Sequence, residues 1–241
     1  MRSVAVPHRL LPLVLRRGAL LVGVGLLLGL AMPGVVVVDD FERDAPGSWP
    51  ARWSYVGRDG RAYEPDHAVR GDERFTVMVE AGNRFLRLYT HDAIHRISHI
   101  TNRTGGVRWD IDANPRLAWR WRARRLPPGA RESGERLNDV GAAIYVTFGR
   151  DVLGRPRSIK YTYSSTLPVG STLREGALRV VVVSSGRDGT GAWRRVERDV
   201  AADYAALFGG TAPDPVSVTL WSDTDNTHAE AEVDVDDLML R

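Results

Sequence analysis

The densest group of chemically capable side chains is Asp223-Thr224-Asp225-Asn226, which sets two carboxylates and an amide within four residues after an apolar run ending at Trp221. Such a loop can bind a cation, or grip sugar hydroxyls as acceptor and donor. The same four residues also make an Asx-rich turn that satisfies its own backbone. Glu232-Val233-Asp234-Val235-Asp236 carries acids at alternate positions. On a strand these point to one side, and two carboxyls about 5.5 Å apart are what retaining glycoside hydrolysis requires. An edge strand that turns its acids outward has the same pattern, and the last position is Asp rather than Glu. His91, His95 and His99 recur every four residues. In extended chain, His91 and His99 would be about 26 Å apart at ~3.3 Å per residue, too far to share one zinc. There is no Gly-x-Ser-x-Gly elbow, and Gly186 to Gly191 lacks the Lys-Ser or Lys-Thr of a phosphate loop.

A third group is aromatic and basic. In Leu117-Ala118-Trp119-Arg120-Trp121-Arg122, alternation puts Leu117, Trp119 and Trp121 on one side and Arg120 and Arg122 on the other. Leu117 on the tryptophan side points to a core; a sugar-stacking platform is the competing assignment. With the tryptophans inward, Arg120 and Arg122 face out. If each strand keeps its alternation, Tyr145, Lys160, Thr162 and Trp221 share their face. A groove of Trp, Tyr, Arg and Thr suits a polar or anionic glycan, and a solvated face of paired charges has the same composition. The ligand-binding residues expected are Arg120, Arg122, Tyr145, Lys160, Trp221, Asp223, Asp225 and Asn226, with none catalytic.

Strands must position these groups. Alternating or β-branched runs occur at Phe75 to Glu80, Phe85 to Tyr89, Leu117 to Arg122, Ala142 to Phe148, Ile159 to Ser164, Leu178 to Val183, Val216 to Trp221 and Ala229 to Leu240. Polar breaks fall at Leu126 to Asn138, Gly149 to Pro156 and Ser184 to Gly191, the last reading as a hairpin turn. One helix is expected: Asp199 caps it, Val200 to Phe208 follows, and Gly209-Gly210 ends it. The fold class is all-β, an antiparallel β-sandwich of jelly-roll type with one short helix.

Residues 1–34 read as a signal peptide or N-terminal membrane anchor, and 35–241 as a single β-sandwich domain. Arg2, Arg9, Arg16 and Arg17 precede an apolar run that exits through Ala31, Pro33 and Gly34. Gly18 to Val38 is uncharged over 21 residues, long enough to span a bilayer. Cleavage is favoured, because Val35 to Val38 leads into Asp39-Asp40-Phe41 as a first strand would. The chain holds 33 basic and 30 acidic residues. Without its first 34 it keeps 29 basic against the same 30 acids, so the case for nucleic acid disappears. Cysteine is absent, which excludes both a disulfide framework and a lipid-bearing cysteine; about 200 residues build a core without staples.

From Leu117 onward the chain resembles a bacterial family known as domain of unknown function 3047. The resemblance rests on Leu117 to Arg122, on Asn138-Asp139 ahead of Ala142 to Val146, and on Tyr161 to Ser164 with Leu167 to Gly170. It continues through Trp193, Glu197-Arg198 and Asp203-Tyr204 to Asp223 to Thr227. Ala143 stands where the resemblance leads one to expect arginine, and Asp199 and Ser165 where it leads one to expect asparagine. A looser similarity, to jelly-roll carbohydrate-binding modules, rests on Asp40-Phe41-Glu42 at the start and Val235 to Leu238 at the end. It implies a structural calcium held by Glu42 and Asp236, with carbonyls completing its oxygen shell. The acids of Glu232 to Asp236 are similar to the acidic strand of laminarinase-like glycosidases.

The expectation is therefore an exported, non-catalytic binding domain for a glycan or similar polar ligand, periplasmic or extracellular. It would touch a membrane only through its N-terminal segment if that is kept. The alternatives are a polysaccharide-active enzyme and a structural partner in an envelope complex.

Overall fold

Alternation along the strands sorts side chains onto a dry side and a wet side, and two sheets bury their dry sides against each other. The computed structural model describes residues 34–56, 62–63 (backbone only), 75–102, 106–134 and 136–241. The expected export segment, save Gly34, lies outside them.

The described strands are β1 (Val36–Asp39), β2 (Ser54–Val56), β3 (Ala62–Tyr63), β4 (Phe75–Glu80), β5 (Asn83–His91), β6 (Ile94–Ile100) and β7 (Arg116–Arg125). They continue as β8 (Val140–Arg150), β9 (Pro156–Ser164), β10 (Thr172–Glu175), β11 (Leu178–Ser185), β12 (Arg194–Asp199), β13 (Ser217–Asp223) and β14 (Glu230–Leu240). A six-stranded sheet runs β12-β7-β14-β5-β4, with β1 also on β14; an eight-stranded sheet runs β10-β11-β9-β8-β13-β6-β2-β3. The chain passes repeatedly between the sheets (β5 to β6, β6 to β7, β7 to β8, β13 to β14), as a jelly roll does. The all-β sandwich with one short helix is as expected, with one parallel pairing in it, β11 beside β9. One expectation is corrected. Ser184 to Gly191 is not a hairpin turn: β11 and β12 belong to different sheets, and a 3-10 turn at Gly186–Asp188 carries the chain across.

The helix α1 (Val200–Phe208) forms where expected. The Asp199 carboxylate accepts the Ala202 N–H at 2.9 Å, and Gly209 ends the helix at φ 81°, a conformation that favours glycine.

Trp119 and Trp121 point into the sandwich. They meet at 5.3 Å edge to face, and each packs on a tyrosine of the facing sheet, Tyr161 at 5.8 Å and Tyr163 at 5.3 Å. Burial of such rings is the largest apolar contribution a residue makes to a core. Ser184 Oγ accepts from Trp121 Nε1 at 2.8 Å. His95 and His99 lie on β6, largely buried, His99 edge-on to Trp53 at 5.5 Å. His91 ends β5 in the other sheet, so the three histidines share no face.

The inward rhythm of β14 (Val233, Val235, Leu238, Leu240) skips a beat at Asp237. There the register shifts against β7 and φ is 52°. This bulge keeps Asp236 on the outer face and admits no carboxylate to the core.

Candidate functional site

The outer face of the eight-stranded sheet carries an open cleft of about 380 Å³, within the range of small-molecule sites. Its floor is built from short hydroxyl side chains at outward positions of four adjacent strands. Ser98 and Thr219 lie 2.6 Å apart, oxygen to oxygen, and Thr147 and Ser158 2.9 Å apart. Each hydroxyl keeps bonding capacity beyond that one contact. Tyr145 and Trp221 form one wall, ring centroids 5.1 Å apart at 31°. The Arg96 guanidinium lies 4.9 Å from the Trp221 ring centre, and Lys160 Nζ 5.7 Å from that of Tyr145. The result is a four-strand row of cation, ring, ring and cation. Arg155, Pro156 and the β10–β11 turn from Glu175 to Leu178 make the other wall.

Beyond Trp221 the face becomes acidic. Trp221 Nε1 donates to Asp223 Oδ2 at 3.4 Å. Asp139, Asp223 and Asp225 each bring a carboxylate oxygen within 4.8 Å of the others. Burial, then the charges of Asp225 and Asp139, pushes Asp223 up to about 7. Asp139 is fully buried and accepts the Asn226 N–H (3.1 Å), the Thr227 N–H (2.7 Å) and the Thr227 hydroxyl (2.5 Å). Its oxygens thereby close the loop that the sequence also allows as an Asx-rich turn. Asn226 itself is exposed. Lys160 is buried beside this group. Burial pushes its ammonium down, but Tyr145, Glu132 and Asp223 outweigh that and hold it above its ordinary value. Glu132 comes from the β7–β8 loop, fully buried, and accepts the Thr162 and Ser164 hydroxyls at 2.9 and 2.6 Å.

Arg120 and Arg122 are elsewhere. They stand on the outer face of the six-stranded sheet, on the opposite side of the sandwich from Tyr145, Lys160 and Trp221. The single shared face expected from alternation is corrected, because alternation assigns a side within a sheet and not the sheet. Both arginines are occupied. Arg122 donates to Asp234 at 2.8 Å and Glu80 at 2.8 Å, and Arg87 and Arg124 close on the same Asp234 at 2.7 and 2.8 Å. Burial would raise Asp234, but hydrogen bonds from Arg87, Arg124 and Arg122 outweigh it and keep the carboxyl below its ordinary range. Trp193 lies over this network, 4.8 Å from the Arg120 guanidinium and 4.7 Å from that of Arg122, and meets Phe85 edge to face at 5.5 Å. The alternate acids Asp234 and Asp236 of β14 are thus each paired with arginine in one lattice.

Of the two residues expected to hold calcium, Asp236 is largely taken up by protein donors. Asp236 takes Asn83 Nδ2 at 2.9 Å and Arg120 Nη2 at 2.5 Å on one oxygen, and the Asp237 N–H at 2.8 Å on the other. Glu42 is exposed and accepts the Arg84 N–H at 2.9 Å. A cation needs free lone pairs, and donors take three of the four on Asp236.

The sequence signals missed Arg96, Asp139, Glu132 and the hydroxyl floor. Arg96 and Ser98 alternate outward from β6 and were there to be read. Glu132 sits in a polar break, where no periodicity marks a buried residue.

Compared with known proteins, residues 64–239 match a family described as Protein of unknown function (DUF3047). No curated protein matches the chain. The solved structures similar to it include three carbohydrate-binding modules. The family 11 carbohydrate-binding module of cellulosomal cellulase Lic26A-Cel5E of Clostridium thermocellum has TM-score 0.41 and 10% identity, covering 86% of this chain and 94% of that one. The family 30 module of cellulosomal cellulase Cel9D-Cel44B of the same organism has TM-score 0.45 and 12% identity, covering 86% and 96%. A non-crystalline cellulose specific module, CBM28, has TM-score 0.40 and 15% identity, covering 86% and 93%.

Proposed function

We propose that this chain, which belongs to the family described as Protein of unknown function (DUF3047), is an exported, non-catalytic domain that binds a glycan in the cleft of its eight-stranded sheet. One observation carries this: hydroxyls of Ser98, Thr147, Ser158 and Thr219 pave a floor beside the Tyr145–Trp221 wall. A sugar offers the complementary surface, C–H groups for an aromatic wall and O–H groups for a hydroxyl floor. Arg96, Arg155 and Glu175 on the rim add charged partners for a polar or uronic substituent.

The test is titration of the full chain with soluble neutral and anionic polysaccharides, followed by calorimetry. Trp221→Ala is expected to weaken binding at least about tenfold, as loss of a buried aromatic contact does. Trp193→Ala, on the opposite face, is expected to leave it unchanged. Binding to no polysaccharide, or binding indifferent to Trp221, overturns the assignment.

A second activity, hydrolysis of the bound glycan, is favoured by Asp223 alone: a carboxyl holding its proton to about pH 7 beside the cleft can serve as a general acid. Asp223→Asn would then retain binding and lose release of reducing ends. Release of none by the unaltered chain removes this activity.

A further inference from the structure

Strand register gathers several exposed apolar side chains at one end of the sandwich. Ile100 pairs with Ser217, Ser217 with Thr147, and Arg150 with Pro156. The β8–β9 hairpin tip, the β10–β11 turn and the β13 start therefore lie at the same end. The tip exposes Val152 completely and Leu153 to 71%; Ile100 (44%) and Val216 (45%) are half-exposed beside it. Adjacent aliphatic residues this exposed, with others at the same end, mark a surface that meets something apolar.

The tip is a built feature. Asp151 Oδ1 accepts the N–H groups of Leu153 and Arg155, both at 2.9 Å, and its Oδ2 takes Arg155 Nε at 2.8 Å. Gly154, at φ 76°, donates its N–H to the Asp151 carbonyl at 2.9 Å. These bonds hold the turn closed with Val152 and Leu153 pointing away from the protein.

The charge around the tip is net positive. Arg150, Arg155, Arg157 and Arg174 stand at or near it, against the carboxylates of Asp151 and Glu175. Elsewhere at this end, Asp110, Asp112, Asp199 and Asp214 outnumber Arg108 and Arg116, so the positive charge is confined to the hairpin corner. The described chain also enters here. The Gly34 carbonyl accepts from Asn114 Nδ2 at 3.0 Å, and Val36 pairs with Leu240 beside the start of β7. In sequence, the residues ahead of Gly34 are uncharged back to Gly18.

We infer that the β8–β9 hairpin tip, Val152-Leu153 within its arginine collar, is a contact site for an anionic lipid bilayer surface. The two aliphatic side chains enter the headgroup boundary while the guanidinium groups pair with lipid phosphates. This docks the end from which the chain emerges and leaves the acidic group around Asp223, at the far end of β13, turned away from the lipid. It stands independently of what the cleft binds.

The chain has no cysteine, so Val152→Cys, Leu153→Cys and Thr190→Cys each give one labelling site in the full chain; Thr190 is exposed beside the far end of β7. Each is labelled with bimane and mixed with vesicles of phosphatidylglycerol and phosphatidylcholine carrying brominated acyl chains. The expected result is strong quenching at 152 and 153, about tenfold above that at 190, which fades in phosphatidylcholine alone and at high salt. Equal quenching at all three sites, or none at 152 and 153, overturns the proposal. So does a bimane shift that needs no vesicle but follows protein concentration, which marks a second copy, or one that follows added polysaccharide, which marks a lip of the cleft.

Discussion

Trp221 and Tyr145 stand ring against ring, 5.1 Å apart, and Ala143 on β8 is the register partner of Trp221 and lies two residues before Tyr145 on the same side of the strand. Ala143 faces the outer side yet is completely buried, with the two rings as its neighbours on that face. A longer side chain would need the volume they occupy. Ala143→Arg, the residue that the family resemblance leads one to expect, is predicted to wedge the rings apart. It should cost about 1–3 kcal/mol of stability, as overpacking does, and reduce cleft binding with it. Chemical denaturation with a parallel polysaccharide titration checks this; a variant of unchanged stability and affinity means the rings do not depend on that space.

The lattice on the opposite face predicts a different kind of loss. Asp234 is fully buried and pairs with Arg87, Arg122 and Arg124 at once. Asp234→Ala removes the buried carboxylate that all three share, leaving only the more exposed Glu232 beside Arg87 and Glu80 beside Arg122 and Arg124, and should destabilise by about 3–5 kcal/mol, the range for breaking a buried pair on one side. Glycan affinity measured on the folded fraction should not move, since the cleft is across the sandwich. An urea midpoint close to that of the unaltered protein would contradict the geometry.

Asp223 predicts a pH effect whose sign follows from its surroundings. Folded, its carboxyl keeps a proton to about pH 7, chiefly through burial and then through Asp225 and Asp139; the ordinary value is 3.8. The folded state thus binds the proton more tightly than the unfolded chain. That contribution to stability is complete below pH 3.8 and is lost as pH rises through about 7. Asp236, raised to about 6 by burial, acts in the same direction, whereas Asp234, held below 3.8, adds stability that is lost only in stronger acid. Asp223→Asn should therefore gain on the unaltered protein as pH rises from about 4 to about 8, by on the order of 2–4 kcal/mol in total. Melting curves of both proteins across that range decide it, and parallel curves would count against a buried, protonated Asp223.

The two core tryptophans should differ. Trp121 Nε1 is bonded to Ser184 Oγ at 2.8 Å, and Trp119 Nε1 has no hydrogen-bond partner among the described residues. Trp119→Phe loses packing alone. Trp121→Phe also strands a buried hydroxyl and should be the more costly by about 1–2 kcal/mol. Equal denaturation midpoints would show that the bond to Ser184 contributes nothing net.

Much of the framework was readable in advance, for a physical reason. Side-chain period along one strand is a local property, and β7, β8, β9, β11 and β13 cover the runs read from Leu117 to Trp221 with ends shifted by a few residues. The Asp199 cap and Gly209 stop are equally local. The cleft was half legible. Tyr145, Lys160 and Trp221 do share a face, and Asp223 and Asp225 border it, but Arg120 and Arg122 do not join them. Asp139 entered only through the family resemblance and Glu132 gave no signal, since each meets its partners only where segments distant in sequence fold together.

The amino-acid sequence by itself determined an all-β chain with one short helix, tryptophans of β7 turned inward, and an apolar N-terminal stretch ahead of the domain, because periodicity, capping and composition act between near neighbours. The tertiary structure alone decided which strands lie in which sheet, and hence that one outer face is a closed arginine–aspartate lattice while the other is an open cleft. It alone brought the Val152-Leu153 tip to the end where the chain enters. Strand pairing joins residues a hundred or more positions apart, and no local pattern encodes the partner.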